Sequence, residues 1–286
     1  MARNPITGVV NLTKQVIQSP SAKNLDSNWI VRAPGELERA EAFFNGSAYA
    51  PHRHDTYAIG ITLSGKQRFN YRGELRQNES GRCLIIHPDE LHDGQAGTDI
   101  GMRYRVGYID PAQVQQVLGG KALPFIENGI SDDPRLYQAV LGLLGEMDDD
   151  LSGLKYQDAL FDLATTMEMT SDNKQKTKPT FDYQAAEMAR QYIADNLEQS
   201  ISLDTLEAIT GRDRWQLSRD FRALFGTSPY RYLIMRRLQQ AKAMMTKGVQ
   251  LAEVASLCDF SDQSHMNRHF KKTYGISPKK WLSSLY

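Results

Sequence analysis

The sequence predicts a two-domain α+β chain, in which a β-rich first domain ends in two helices and an all-α second domain follows. Short apolar runs separated by Gly, Asn and Pro occupy about residues 29–110 and are typical of the strands of a barrel or sandwich. A polar, lysine-rich segment at residues 170–181 has the composition of a solvated linker. The segments after it have the apolar spacing of helices.

These patterns predict the domain boundaries. Residues 1–25 have no clear period and are expected to be disordered or to form an amino-terminal arm, and residues 26–171 form the first domain. The linker is placed at residues 172–181 and the second domain at residues 182–286.

Two helices are predicted near the end of the first domain. Ser131 or Asp132 is a candidate N-cap with Pro134 in the first turn, and the second helix is expected over about residues 154–169. Their apolar faces must be covered. Packing on the barrel is the default expectation, and a dimer interface is the functional alternative.

The composition favours a reduced, cytoplasmic setting. The 286 residues include only two cysteines, Cys83 and Cys258, far apart and without metal-ligand spacing, so neither a disulfide framework nor a cysteine zinc site is supported. No apolar run approaches the roughly 20 residues that span a bilayer, and the amino terminus has no apolar signal region. We therefore expect no membrane partner.

The charge is unevenly distributed, although the net charge is zero. Residues 182–286 contain 15 Lys and Arg against 11 Asp and Glu, whereas residues 1–181 contain 19 against 23. The second domain is therefore basic, as a nucleic-acid-binding domain is expected to be.

The second domain contains an internal repeat. At an offset of 49 residues, Arg219 aligns with Arg268 and Phe221 with Phe270, and the Gly-x-Ser-Pro sequence after each of these helices also aligns. Upstream the offset is 48, so the second unit has one more residue in its turn. Each unit is predicted to be a short helix, a tight turn and a longer helix, which is helix-turn-helix geometry.

The turns and the longer helices follow from the same alignment. Gly211 can adopt the positive φ that such a turn often needs, and Asp259, at the aligned position, is among the few other residues that tolerate it. The longer helices are expected over about residues 213–225 and 261–274. In a helix-turn-helix unit, this second helix enters the major groove of DNA.

Each longer helix has one apolar face and one polar face. Arginine can pair with guanine through two hydrogen bonds, Asn and Gln can pair with adenine, and Lys mainly contacts phosphates. A solvated surface is the alternative for any single residue, but two such faces at nearly one offset favour DNA binding. The predicted DNA-binding residues are Arg214, Trp215, Ser218, Arg219 and Arg222 in the first helix, and Gln263, Ser264, His265, Asn267, Arg268, Lys271 and Lys272 in the second.

The sequences "GRDRWQLSRDFRALFGTSPYRYL" and "DFSDQSHMNRHFKKTYGISPKKW", within residues 202–281, resemble the tandem helix-turn-helix domain of the AraC/XylS family of bacterial transcription regulators. Asp259 replaces the usual Gly and Met266 the usual Phe. The resemblance implies a connecting helix at about residues 229–245 that holds the two reading helices about one DNA turn apart. It places DNA contacts at Trp215, Ser218, Arg219, Ser264, His265, Asn267 and Arg268.

The first domain holds four of the six histidines, in "PHRHDTY" and "IIHPDELHDG". If residues 51–62 form a strand, His52 and His54 lie on one face, because side chains alternate along a strand. A second strand and turn would then bring His92 to the same mouth of the barrel.

Another expectation concerns "MRYRVGYI", where alternation separates tyrosines from arginines. We expect Tyr104, Val106 and Tyr108 on the core face and Arg103 and Arg105 on the surface. Inward arginines would instead indicate an anionic ligand.

Residues 50–111 resemble the cupin-like barrel of AraC-type sensor domains, and this resemblance implies a small-molecule effector. Metal-binding cupins also have a Glu that "DTYAIG" lacks, and Asp55 is expected on the opposite face. Three imidazoles could still bind zinc, nickel or iron, but an organic-ligand pocket or a structural role ranks above a metal site, and no cofactor is predicted. The predicted effector-binding residues are His52, His54, Tyr57, His87, His92 and Tyr104.

The hypothesis from the sequence is a cytoplasmic, sequence-specific DNA-binding transcription regulator whose cupin-like domain binds a small-molecule effector. Its expected partners are double-stranded DNA, the effector, RNA polymerase and a second copy of the chain in a homodimer. Two alternatives are a regulator controlled by a partner or by its own concentration, and a metal-dependent cupin enzyme. No phosphate loop or nucleophile motif occurs, so an enzyme is not expected.

Overall fold

A computed structural model describes residues 28–172 and 181–283. The predicted arm at residues 1–25 lies outside the described residues, as does the predicted linker at residues 172–181 apart from its two end residues. The architecture is the predicted one, with a sheet-rich first domain that ends in helices and an all-helical second domain.

The strands of the first domain pair in antiparallel fashion. One layer follows the order β1-β2-β8-β4-β6-β9, and β3, β7 and β5 join through β4 to form the other. The strands are β1 (Trp29–Ala33), β2 (Glu38–Phe44), β3 (Ser47–His52), β4 (Tyr57–Tyr71), β5 (Glu74–Glu79), β6 (Cys83–Ile86), β7 (His92–Ala96), β8 (Met102–Ile109) and β9 (Ile130–Ser131).

The 15-residue strand β4 belongs to both layers. Its first half pairs with β6 and β8, its second half pairs with β5 and β7, and its register against β8 shifts between Thr62 and Ser64. Tyr57 and Ile59 pack into the core under the helices, while Ala58 packs into the core between the layers. Because both faces are covered, "YAIGITL" reads as a continuous apolar run.

Three helices cover one face of the barrel: α1 (Pro111–Leu118), α2 (Pro134–Leu144) and α3 (Gly153–Thr170). The buried faces of α2 and α3 pack on β4 and β6 in one apolar core, so the default expectation for the two predicted helices is confirmed. The predicted N-cap is wrong, since Asp133 caps α2 by accepting the N–H of Arg135. Helix α1 was not predicted from the sequence, although Asp110 caps it and Pro111 occupies its first turn.

The expected strand over residues 51–62 is also wrong. Strand β3 ends at His52, residues 53–56 form a connection, and β4 begins at Tyr57. The cause is tertiary, because the N–H of Arg53 donates to the carbonyl of Thr273 and the carboxylate of Asp55 pairs with Arg236, both in the second domain.

The second domain contains the two predicted helix-turn-helix units joined by one connecting helix. Gly211 and Asp259 both have positive φ, 67° and 53°, as predicted for the two tight turns. The helices are α4 (Tyr183–Asp195), α5 (Leu203–Thr210), α6 (Arg214–Phe225), α7 (Pro229–Thr246), α8 (Leu251–Leu257), α9 (Gln263–Tyr274) and α10 (Pro278–Ser283). Within residues 28–172 and 181–283, no helix has the length and apolar character needed to cross a membrane.

Candidate nucleic-acid interface and effector site

The first longer helix, α6, presents a cationic face with one aromatic side chain. Asp213 fixes the start of α6 by accepting the N–H groups of Trp215 and Gln216. The inner face is held by fully buried residues such as Phe221, whereas Trp215 is 68% exposed. Arg219 and Arg222 are exposed beside it. This face can therefore contact bases and phosphates without rearrangement of the core.

Two predicted DNA-binding residues of α6 do not lie free on that face. Ser218 is only 8% exposed and its hydroxyl accepts a hydrogen bond from Arg222, contrary to the predicted outward position. The guanidinium of Arg214 pairs with Asp204 and, at 2.8 Å, with Glu207 of α5. The Arg214 pairs anchor α6 to α5 and the Ser218 bond lies within α6, so we assign both residues a supporting position.

The second longer helix, α9, presents a similar face. Asp262 caps it by accepting the N–H of His265, and Met266 and Phe270 are fully buried beneath it. His265 and Asn267 are half-buried. The exposed members of the predicted set are Gln263, Ser264, Arg268, Lys271 and Lys272.

Helix α7 joins the two units, and Arg237 within it contacts both. Its guanidinium donates to the carbonyls of Leu197 and Gln199, which lie before α5, at 2.8 and 2.7 Å. It also donates to the carbonyl of Asp259 at 3.1 Å and pairs with the carboxylate of that residue at 2.5 Å. Asp259, which replaces the family's usual Gly, thus adds a bond between the units.

Three histidines converge at one end of the first domain. His52 ends β3 and lies directly opposite His92, which begins β7, while His54 belongs to the connection between β3 and β4. One ring nitrogen from each lies within 4.8 Å of those of the other two. His92 is 8% exposed and the other two are half-buried. The connection, although not a strand, places His54 beside the paired His52 and His92, so the three side chains come together.

Each of these three rings makes the same kind of hydrogen bond. The Nδ1 atoms of His52, His54 and His92 lie 2.9, 2.8 and 3.0 Å from the carbonyls of Ala50, Thr56 and Glu90. A carbonyl can only accept, so Nδ1 carries the proton and Nε2 keeps its lone pair. Burial lowers the pKa of all three, to about 4 for His54, so the rings are neutral at pH 7.

Two other predicted effector-binding residues do not join this cluster. Tyr57 lies in the core beneath the helices and its hydroxyl donates to the carbonyl of Pro124 at 2.8 Å. The Nε2 of His87 accepts the N–H of Ile126 at 3.0 Å, and its Nδ1 lies 2.6 Å from the Tyr71 hydroxyl. Both side chains have their polar atoms satisfied, which gives them a structural position in this structure.

The alternation in β8 separates its tyrosines from its arginines as expected, but Arg105 is not on the surface, because its side chain is only 14% exposed. Tyr104 and Val106 are buried between the layers, and the Tyr104 hydroxyl is buried without a hydrogen-bond partner in the part of the chain that the structure describes. On the opposite face, Arg103 and Arg105 pair with the buried carboxylate of Glu41. Arg105 also pairs with Glu146 at 2.9 Å, so two carboxylates neutralise the two arginines outside the barrel, and the interior is lined by aromatic side chains.

The connection that carries His54 also contacts the second domain, and this contact was not predicted from the sequence. The buried carboxylate of Asp55 lies 2.9 Å from the guanidinium of Arg236 in α7. Asp89 donates its N–H to the carbonyl of His54 at 2.7 Å, and its carboxylate accepts from Thr227 at 2.9 Å and pairs with Arg231 at 2.5 Å. No local pattern marks such pairs, because their members are far apart in the chain.

A domain with two helix-turn-helix units that each expose a basic helix, attached to a barrel with converging polar side chains, defines a DNA-binding regulator with a ligand-binding domain. Two family models match, the AraC-like ligand binding domain over residues 34–164 and a helix-turn-helix domain over residues 206–284. The chain belongs to the AraC family of transcriptional regulators.

Individual relatives support this classification. The chain is 26% identical over 256 residues to the probable transcriptional regulator LumQ of Photobacterium leiognathi. This alignment covers 85% of this chain and 95% of LumQ. It is 33% identical over 94 residues to the transcriptional activator AarP of Providencia stuartii, covering 32% of this chain and 70% of AarP. The matched relatives are regulators and the matched domains bind DNA and ligands, so the chain is not an enzyme, as predicted.

A solved structure shows the same fold. The crystal structure of ToxT from Vibrio cholerae O395 superposes with a TM-score of 0.56 at 13% identity, and the match covers 91% of this chain and 97% of ToxT. The order of the two domains and their architecture are therefore shared.

Proposed function

We propose that α6 and α9 enter successive major grooves of one DNA duplex and that their exposed side chains read its sequence. The observation that carries this proposal is the pair of exposed basic faces on the two aligned helices. Helix α7 has 18 residues and is about 27 Å long, which suits two readers spaced about one DNA turn, roughly 34 Å, apart. The proposed contacts are Trp215, Arg219 and Arg222 from α6, and Gln263, Ser264, Arg268, Lys271 and Lys272 from α9.

The proposed contacts have different tasks. Arg219 and Arg268 occupy the same position in the two units and are proposed to pair with guanine edges. Lys271 and Lys272, near the end of α9, are proposed to contact phosphates, which position the helix without reading sequence. His265 and Asn267 are half-buried and contribute at the edge of the interface.

The first domain is proposed to bind a small-molecule effector near the histidine cluster. Two buried polar atoms support this, since neither the Nε2 of His54 nor the hydroxyl of Tyr104 has a hydrogen-bond partner among the described residues. ToxT, which shares the fold, has been crystallised with an unsaturated fatty acid bound. Binding would regulate DNA recognition by favouring one arrangement of the two domains.

The chain is further proposed to act in the cytoplasm as a homodimer that works with RNA polymerase. Helix α3 supports the dimer, because Leu154, Phe161 and Met169 are 72%, 56% and 65% exposed and lie within 80° of one another around the helix axis. A second copy of α3 would cover these apolar side chains. Sedimentation of the purified protein measures this association.

Fluorescence anisotropy tests the proposed DNA contacts, using a labelled duplex selected from a random pool by the wild-type protein. Arg219→Ala and Arg268→Ala are each expected to weaken binding by about 5- to 150-fold, because one bidentate contact to guanine contributes about 1–3 kcal/mol. Affinity should also fall steeply with salt. Arg135→Ala, an exposed arginine of the first domain, is the matched control and should leave affinity unchanged.

Failure of the proposal has a definite form. If no sequence is enriched from the pool, or if both arginine variants bind the selected duplex as tightly as the control, α6 and α9 are not the reading helices. Unfolding curves of all three variants separate lost contacts from lost structure.

A further inference from the structure

The histidine cluster has the features of a prepared metal site. Its three Nε2 atoms are hydrogen-bond acceptors, and the Nε2 of His54 is buried with no donor from any residue that the structure describes. A buried acceptor without a partner destabilises the fold unless a ligand supplies the missing interaction. A cation placed among three neutral imidazoles supplies it to all three rings at once.

The hydrogen bonds made by the Nδ1 atoms of the cluster are the kind that metal-binding histidines make. In known sites, the ring nitrogen that does not bind the metal usually donates to a carbonyl or carboxylate, which fixes the tautomer and aims the other nitrogen. Here His52, His54 and His92 all donate from Nδ1 to main-chain carbonyls. This shared tautomer leaves the Nε2 atom of each ring able to accept from a ligand.

The distances between the candidate ring-nitrogen ligands suit a first-row transition metal if the three side chains move slightly closer together. Zn–N bonds of about 2.0–2.1 Å put two nitrogen ligands of a tetrahedral site about 3.3 Å apart. The candidate ligand atoms are within 4.8 Å of one another, so the side chains must approach by about 1.5 Å at most. Three imidazoles leave one coordination position open, and imidazole suits zinc, nickel, copper and iron rather than calcium or magnesium.

The ligand-bearing segment contacts the DNA-binding domain directly at two points and through Asp89 at a third. Between His52 and His54, the N–H of Arg53 donates to the carbonyl of Thr273 in α9 at 2.7 Å. After His54, the carboxylate of Asp55 pairs with Arg236 in α7. The carbonyl of His54 itself accepts the N–H of Asp89, whose carboxylate binds Thr227 and Arg231 at the junction of α6 and α7.

We propose that His52, His54 and His92 bind a divalent first-row transition metal ion, and that its binding is transmitted to both helix-turn-helix units through Arg53, Asp55 and Asp89. The inference rests on the proposed effector-dependent function and names the class of ligand. Closure of the rings on the ion repositions residues 52–54. The contacts of that segment with α7, α9 and the α6–α7 junction then favour a different placement of the reading helices.

Metal binding is measured on the full chain without DNA. Metal-free protein is titrated with Co²⁺, whose visible absorption reports a tetrahedral nitrogen site, and Zn²⁺ is then added to displace it. Equilibrium dialysis with elemental analysis gives the stoichiometry. We expect one tight ion per chain in the wild type, with at least a tenfold loss of affinity in both His52→Gln and His92→Gln.

A matched control separates the cluster from a second histidine pair. His265 and His269 are one turn apart on α9 with their Nε2 atoms 2.9 Å apart, and such a pair can also bind a metal. His269→Gln should leave the Co²⁺ spectrum and the tight binding unchanged. Equal binding by wild type and His92→Gln, or loss of binding in His269→Gln alone, would overturn the proposed site.

Transmission is measured with the selected duplex, by comparing its affinity for metal-free and Zn²⁺-loaded protein. We expect at least a fivefold difference, absent in His92→Gln. In Asp55→Asn we expect the same Zn²⁺ affinity with a smaller DNA response, because only the contact with Arg236 is weakened. Zn²⁺ binding with less than a twofold change in DNA affinity would overturn transmission.

These outcomes are distinct from failure of the proposed function. A protein that binds Zn²⁺ but selects no DNA from the pool in either form contradicts the DNA-reading proposal and leaves the metal site standing. A protein that selects DNA but takes up no Co²⁺ or Zn²⁺ contradicts the metal site alone.

Discussion

Replacing Arg237 tests how the two helix-turn-helix units are held together. The side chain is 7% exposed, and its guanidinium joins the segment before α5 to the turn of the second unit by hydrogen bonds to Leu197, Gln199 and Asp259. In Arg237→Met the aliphatic part can still pack, while these bonds are lost. The change therefore isolates the polar contribution.

The expected magnitude follows from the bonds that are lost. A hydrogen bond that involves a charged group contributes about 1.5–3 kcal/mol, and such contributions are not additive. Leu197 and Gln199 are partly solvated, so water can replace some of the lost bonds. We expect Arg237→Met to lower the free energy of unfolding by about 3 kcal/mol, a large part of a typical 5–15 kcal/mol.

Urea unfolding followed by tryptophan fluorescence measures this change, because Trp215 and Trp281 lie in the second domain and only Trp29 lies in the first. Arg135→Met is the control, since that arginine is 65% exposed and pairs only with Asp133, and its loss should cost less than about 1 kcal/mol. Relative to the wild type, Arg237→Met should lose more affinity for a DNA duplex with both half-sites than for a duplex with one half-site. If Arg237→Met is as stable as the control, the buried guanidinium does not hold the units together.

Two further predictions concern the first domain and its contact with the second. Burial lowers the pKa of His87 to about 3, against about 6.5 in the unfolded chain, so the unfolded state binds more protons between these values and stability falls as pH falls below about 6.5. From pH 7.5 to about 5 this loss is about 2 kcal/mol, and unfolding curves of His87→Gln should lack that part of the pH dependence. Gly275→Ala should lower the melting temperature more than Gly248→Ala, because an added Cβ at Gly275 would lie 2.3 Å from the carbonyl oxygen of Pro51.

Each of these predictions has its own control. For His87, the control is the wild-type chain measured over the same pH range, because both proteins contain all the other histidines. If the free energy of unfolding changes with pH equally in the wild type and in His87→Gln, the assigned pKa is contradicted. Gly248 has a φ of 84°, similar to the 73° of Gly275, but nothing lies within 4 Å of its added Cβ. Both alanines therefore have a similar backbone strain, of about 1 kcal/mol, and only Gly275→Ala disturbs the domain contact. Equal melting temperatures would show that this contact is not part of the stable fold.

The sequence by itself determined the features that depend on near neighbours. The offset between the units, the tight turns at Gly211 and Asp259, and the apolar faces of α6 and α9 follow from helical spacing and backbone preference, and the structure reproduces them. Alternation in β8 likewise separated Tyr104 from Arg103. Such patterns can be recognised in the sequence because each is set by residues a few positions apart.

The tertiary structure decided which polar groups face each other. Tyr57 and His87 looked equivalent to the other pocket candidates, but β4, which begins at Tyr57, and β6, which ends just before His87, are apolar on both faces, so alternation could not tell the helix side from the barrel interior. Contacts with α7 and α9 hold residues 53–56 out of the expected strand. The convergence of His52, His54 and His92, and the contacts of their segment with α7 and α9, therefore arise only when the domains fold and pack, because these groups come from segments that no local rule joins.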